Sequence, residues 1–558
     1  MSDIKIDKQT LNPWTGEISS SFSVEGIPVL VSTYCHQEKD LIAVKVKSAL
    51  LKSGRLKLKL RFPFPSNEFT DYGTNYKNDQ QHQSFITKHT EKSVHIRHRL
   101  DTTRYTVQLS WSSVAEVSID APHTFLISPV DSLDTFEAAC LFTEKPLVGV
   151  LPIFEKTAES SRNGWKSFWM RGGAVDFSGS ADIRAKELER RVILSQYLTK
   201  IQCSGAEPPQ ETGLTYNSWF GKPHLEMHWW HGVHFALWNR IDLLENSLSW
   251  YAKVASEAKA IAKRQGFEGV RWQKMTDPAG KESPSSVGAL LIWQQPHFIY
   301  FAELCRREHQ DLKTLQKYKD LVFATADFMA SFAYFDKEKG RYILGKGLIP
   351  AQERFKAEDT FNPTYELAYW QWALSVAQDW RVRLNLPRNK KWDDVMQKIS
   401  PLPQQNGVYL AAESAPDSYT NPVYLTDHPS VLGTFGMLPT TPLLNKKVMR
   451  QTFDKVWTSW NWKDTWGWDF PMVAMTAARL GLPEKAIDGL MMDIRTNTYL
   501  PNGHNFQDER LRLYLPGNGG LLAAVAMMCA GFEDGNQNAG IPKNSQWNVR
   551  WEGLKQMP

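Results

Sequence analysis

Two segments near the C-terminal end, PMVAMTAARLGL at 471–482 and the run GLLAAVAMMCAGF ending at Phe532, are apolar on nearly every side of a helix. A surface helix keeps a polar face, so helices of this kind must lie inside another layer. They close a stretch, from about 205 to 533, in which long helical runs alternate with loops rich in Pro, Gly, Asn and Trp. Examples are ENSLSWYAKVASEAKAIAKRQG, LKTLQKYKDLVFATADFMASFAYF and FNPTYELAYWQWALSVAQDWRVRL. Concentric layers of helices satisfy this pattern.

The N-terminal part reads differently. LIAVKVKSALL (41–51), KSVHIRHRL (92–100) and YTVQLSWSSVAEVSI (105–119) alternate apolar and polar residues at period two, with a turn-rich separator at 65–79. Repeated short strands predict a β-sandwich. Helical spacing without Gly or Pro in ADIRAKELERRVILSQYLTKI predicts a linker helix. The expected fold class is therefore multidomain β + α. It places a sandwich at 1–178, the linker helix at 179–204, a helical domain at 205–533 and a tail at 534–558, where SQWNVRWEGL is expected to return as a strand.

Lys+Arg 65 against Asp+Glu 60 leaves a formal charge of +5, with no run of like charges, so no nucleic-acid partner is indicated. No apolar stretch reaches the length of a membrane span. The five cysteines are scattered and lack CxxC spacing, which predicts free thiols and neither disulfides nor a zinc site. The N-terminus has neither a basic start leading into an apolar block nor a cleavage site, so the chain as written reads as cytoplasmic; had a leader been removed, it would be periplasmic or secreted. The oligomeric state is not legible.

The 22 tryptophans cluster at 165/169, 219/229/230/238, 370/372/380 and 457/460/462/466/468. Indoles stack on the C–H faces of sugars and keep an N–H for hydrogen bonding, so indoles beside carboxylates point to a carbohydrate cleft. Four segments carry such groups. Tyr216 to His231 combines Trp219, Lys222, His224, Glu226, His228, Trp229, Trp230 and His231. It suits a sugar subsite; its i, i+3 and i, i+4 histidine spacings leave a metal open, although HExxH is absent. In the second segment Glu353 follows Pro350 on a loop before a strongly patterned helix. A Glu among apolar neighbours keeps its proton, as a general acid must. The third runs from Trp462 to Pro471 with Asp464 and Asp469, and the fourth from Asn502 to Arg510 with Asp508 and Glu509. A carboxylate from either, set about 6.5–9.5 Å from Glu353, would suit inversion through a bound water. Close helix packing accounts for Gly517, Gly519 and Gly520 better than a phosphate loop does, because GxxxxGK[ST] and GxGxxG are missing.

These segments resemble glycoside hydrolases with an (α/α)6 barrel preceded by a β-sandwich and linker helix. The nearest pattern is family 65, the maltose phosphorylase and kojibiose hydrolase group; family 95 α-L-fucosidases are more distantly similar. Trp219 to Trp230 with Glu226 takes the place of the loop contacting the nonreducing sugar. Gly266 to Met275, with Pro278, Gly280, Glu282 and Ser283, resembles the family's GxxxPW...G segment, and Trp293 to Tyr300 its His-containing helix. Ile349 to Glu353, followed by Asn362-Pro363-Thr364-Tyr365, resembles the general-acid loop. Where the fucosidases carry an Asp-Gly-Asn-Phe-Gly turn holding their base, this chain has Pro516-Gly517-Asn518-Gly519-Gly520. The resemblance implies an exo-acting, inverting glycosidase removing a terminal, α-linked sugar from an oligosaccharide or glycoside, with no metal or cofactor. Glu353 is expected as the acid, and Asp469, flanked by Trp466 and Trp468, as base ahead of Glu509. Trp219, Trp229 and Trp230 are expected as stacking walls, and Lys222, His224, Glu226, Arg271, Lys274 and His297 as hydroxyl partners. Three alternatives stand beside it: an inverting disaccharide phosphorylase, disfavoured because the carboxylates would repel phosphate, a non-catalytic carbohydrate-binding protein, and a lyase using Tyr and His.

Overall fold

The computed structural model describes residues 3–66, 68–147, 149–283 and 285–558. Met1, Ser2 and Asn67, the last inside the 65–79 separator, lie outside them. The chain divides into two units, Met1–Arg171 and Gly172–Pro558.

The first unit holds eleven strands among its described residues. β1 (Ile4–Asn12), β2 (Glu17–Val24), β3 (Ile27–Cys35), β4 (Leu41–Lys47), β6 (His82–Thr90), β7 (Ser93–Leu100), β8 (Thr103–Trp111) and β11 (Thr135–Thr143) form one antiparallel sheet in the order β1-β2-β3-β4-β11-β8-β7-β6. β5 (Leu58–Arg61), β9 (Ala115–Ala121) and β10 (Thr124–Pro129) form a second in the order β5-β10-β9. The run at 105–119 is thus two strands in two sheets. Period-two alternation sorts the core. Leu41 and Ala43 on β4, with Ala139 and Leu141 on β11, pack against Phe154 and Ala158 of helix α1 (Phe154–Met170). Their neighbours Val44, Val46, Ala138 and Cys140 join Phe125 and Ile127 of the small sheet. The sequence pattern did not announce α1, because SSRNG at its centre has poor helix propensity.

The second unit is helical. Its described helices are α2 (Ala185–Cys203), α3 (His228–Leu237), α4 (Ile241–Lys253), α5 (Ala255–Arg264), α6 (His297–His309), α7 (Leu312–Phe332), α8 (Thr364–Arg383), α9 (Lys390–Lys398), the short α10 (Gly433–Gly436), α11 (Lys446–Ser459), α12 (Asp469–Arg479), α13 (Pro483–Leu490) and α14 (Leu515–Ala530). α3, α6, α8, α10, α12 and α14 each pack on the next, and α14 returns to α3, closing an inner ring. Around it α4 packs on α3, α7 on α6, α9 on α8, α13 on α12 and α2 on α14, while α11 packs on the turn Ser430–Leu432 before α10. This is an (α/α)6 barrel. All 16 residues of α14 and all 11 of α12 are buried, which is why both runs lack a polar face. The helix read at 179–204 is α2, a member of the outer ring. In the tail, Arg550–Glu552 pairs antiparallel with Ala174–Asp176, both within the second unit. Among the described residues no helix is long and apolar enough to cross a membrane.

The glycines opening α14 let it approach α3. A Cβ on Gly519 would lie 1.9 Å from the Trp230 carbonyl oxygen, which belongs to a helix that cannot yield. Gly519→Ala is expected to destabilise the helical unit by about 3 kcal/mol, the upper range of overpacking. Gly205→Ala, where a Cβ meets nothing within 4 Å, is the matched control. Equal thermal unfolding of the two variants would refute this account of the glycines.

Candidate active site

No inner helix carries a side-chain cap at its N-terminus, and neither do the outer α2, α4 and α13, whereas three outer helices do. Asp311, Asn389 and Asn445 cap α7, α9 and α11 with side-chain hydrogen bonds. The residues at the corresponding positions of α3, α6, α8, α10, α12 and α14 (Met227, Pro296, Pro363, Leu432, Trp468 and Tyr514) make no such bond. Uncapped N-termini carry partial positive charge and favour carboxylates nearby. The segments leading into these helices supply them: Glu226 before α3, Glu353 before α8, Asp427 before α10 and Asp469 at the start of α12.

Lys274, on the segment before α6, joins the first two. Its Nζ lies 3.1 Å from Glu226 Oε2 and 2.5 Å from Glu353 Oε1, with the lysine side chain only 5 % exposed. Glu226 also accepts from Trp293 Nε1 at 2.9 Å and faces His224 Nε2 at 3.2 Å. Two carboxylates sharing one cation are driven apart in proton affinity. Burial opposes charge on Glu226, yet Lys274, His224 and Trp293 together hold it well below the usual carboxylate range. Glu353 has fewer donors. Burial pushes its pKa up, Lys274 pulls it down, and Glu226 and Asp427 push it up again, leaving it raised. Its side chain is 22 % exposed, so a ligand can reach it.

The cluster continues through Asp427. Its Oδ2 accepts the Glu353 N–H at 2.8 Å and its Oδ1 accepts Trp466 Nε1 at 2.7 Å. His428 Nδ1 lies 2.8 Å from Asp469 Oδ1, and the Trp466 N–H donates to Asp469 Oδ2 at 2.8 Å. Burial disfavours charge on His428, but Asp469 and Asp427 raise its pKa to about 9. Burial lifts Asp469 to about 6, with His428 opposing. At neutral pH the pair is imidazolium and carboxylate. His428 stacks on Trp468 at 3.9 Å, and Trp468 on Trp230 at 5.1 Å, so the charged groups rest on an aromatic floor. Glu211, buried beside Tyr514, is a further carboxylate whose pKa burial raises; His224 and Lys274 oppose that shift, and Glu226 reinforces it.

The structure thus brings Glu353, Asp469, His224, Glu226 and Lys274 into one network, and Trp219 sits 4.9 Å over Lys274 Nζ. Four expectations change. Glu509 is 77 % exposed and ion-paired with Arg512, outside the network. Trp229 and Trp230 have no exposed surface, so they support the floor and offer no face to a sugar; of the indoles touching the network, Trp219 and Trp466 are part-exposed. Arg271 turns away, donating to Gln295 and to the carbonyls of Ala289 and Leu291. His297 braces the Glu226 backbone, its Nε2 3.2 Å from the Glu226 carbonyl. Lys222 is part-exposed on the loop after Trp219. Asp427 and His428 lie outside the four segments the sequence singles out; the signal available for them is a charged pair shortly before the apolar run at 431–438. Away from the barrel, Asp79, His82 and His123 hold possible ligand atoms within 4.8 Å of one another. Both ring nitrogens of His123 are already engaged there, by Ser84 Oγ and the Asp79 carbonyl.

No family model and no curated protein matches the sequence. Among solved structures, a protein described as a kojibiose phosphorylase from the human microbiome superposes with a TM-score of 0.74 at 12 % identity, covering 98 % of this chain and 80 % of that one. A bacterial glucoamylase complexed with acarbose gives a TM-score of 0.55 at 11 % identity, covering 97 % and 86 %. These likenesses establish the fold, a β-sheet unit followed in sequence by the helical barrel.

Removing Lys274 strands the buried Glu226 and the part-buried Glu353. Lys274→Met is expected to cost about 3–5 kcal/mol at pH 7. Glu226, held below its ordinary 4.5 in the native protein, contributes stability above that pH and loses it as pH falls through its folded value. Without the cation burial dominates and the carboxylates take up protons, so the deficit should shrink toward acid pH. Thermal unfolding at pH 7 and pH 5 reads this directly; a deficit independent of pH would contradict it.

Proposed function

We propose that this chain is a carbohydrate-active enzyme, an exo-acting inverting glycoside hydrolase releasing a terminal, α-linked sugar. The observation that carries the reading is the placement of Glu353, an accessible carboxyl of raised pKa beside ionised Glu226. Glu353 gives its proton to the glycosidic oxygen, the C–O bond breaks, and a water attacks the anomeric carbon and passes its proton to Asp469. His428, held as imidazolium by Asp427 and Asp469, fixes the orientation of that base. Glu226 is assigned to the hydroxyls of the terminal sugar, with Trp219 and Trp466 as aromatic faces. The names of the two structural relatives, one a phosphorylase of kojibiose and one a glucoamylase, fit a sugar substrate. Against phosphorolysis stand Glu211, Glu226, Glu353, Asp427 and Asp469, gathered around Lys274 and His428, an unfavourable surrounding for phosphate. The full burial of Asp469 also favours a second reading, a sugar-binding protein without turnover.

Glycosides should be screened by chromatography of the released monosaccharide and NMR of its anomeric form. Glu353→Gln is expected to lower kcat/KM roughly 10³-fold with the fold intact. The wild-type rate should rise through about pH 6 as Asp469 ionises and fall on the alkaline side as Glu353 loses its proton. Asp469→Asn should abolish the acid limb. Turnover at the parental rate in Glu353→Gln removes the acid, a requirement for added phosphate selects phosphorolysis, and tight binding without turnover selects the second reading.

A further inference from the structure

The loop presenting Glu353 has no regular hydrogen-bonding ladder; other elements meet its main-chain N–H groups one at a time. Ile349 donates to the Leu290 carbonyl at 2.8 Å, Ala351 to Glu366 Oε1 at 2.6 Å and Glu353 to Asp427 Oδ2 at 2.8 Å. Glu366 is the third residue of α8, a position where Glu commonly folds back onto the N–H of the capping residue. That residue is Pro363, which has no N–H to offer. The carboxylate reaches out to Ala351 instead. It is fully buried, and its second oxygen has no hydrogen-bond partner. Burial lifts its pKa to about 7, opposed by the Ala351 N–H and its own backbone N–H. Sequestering a carboxylate for so few donors is costly, and a neutral side chain would fill the space at less expense.

We propose that Glu366 is a positioning residue for the acid: by fixing Ala351 it sets where the Glu353 carboxyl points. This rests on the reading of Glu353 as proton donor. Glu366→Gln retains an acceptor at similar volume, whereas Glu366→Leu retains the volume alone. Two readouts separate the possibilities, amide hydrogen exchange over residues 347–355 and steady-state kinetics on the glycoside found by screening. The Leu variant should exchange about tenfold faster across this segment and lose roughly 100-fold in kcat with KM nearly unchanged. The Gln variant should restore wild-type exchange and most of kcat. Should Leu fail to fold, by near-ultraviolet circular dichroism, Glu366→Ser is too short to reach Ala351 and carries the same expectations. Wild-type exchange in the variant lacking the acceptor overturns the clamp whatever the activity. Faster exchange with unchanged kcat overturns the link to the acid. If the wild-type protein turns over no glycoside while exchange responds as stated, the clamp stands and the hydrolase reading falls.

Discussion

The bridge from Lys274 to Glu226 and Glu353 organises the site. One buried ammonium cannot neutralise two carboxylates equally when one of them also has an indole and an imidazole facing it. The asymmetry favours the anion on Glu226 and leaves Glu353 the member that more readily carries a proton. Two chemically similar side chains thereby acquire different tasks from their neighbours alone.

The barrel explains why such a cluster can exist. Helices α12 and α14 are buried all round, so the ends of the inner ring and the segments feeding them are where charge has to gather. Leaving those ends uncapped supplies a field that suits carboxylates. The outer helices that are capped close their own ends with Asp311, Asn389 and Asn445.

Much of this was legible in the sequence, for identifiable reasons. Apolar runs without a polar face announced the inner layer, and period-two alternation announced the sandwich. Glu353 and Asp469 stood out because each directly precedes a strongly patterned helix. The misassigned residues show what pattern cannot carry. Trp229 and Arg271 have side-chain types suited to sugars, but direction decides their role, and direction follows from packing between segments far apart in sequence. Glu509 carries the right chemistry on a turn that leaves it in solvent. Glu211 follows a proline pair and gives no local cue at all.

Asp427 holds the Glu353 main chain with one oxygen and the Trp466 indole with the other, and the Trp466 main chain in turn holds Asp469. Glu353 and Asp469 are therefore mounted on a common bracket. Engineering that moves one of these carboxyls by altering this turn will drag the other with it. Independent adjustment has to come from residues that touch only one of the two, such as Lys274 on Glu353 or His428 on Asp469.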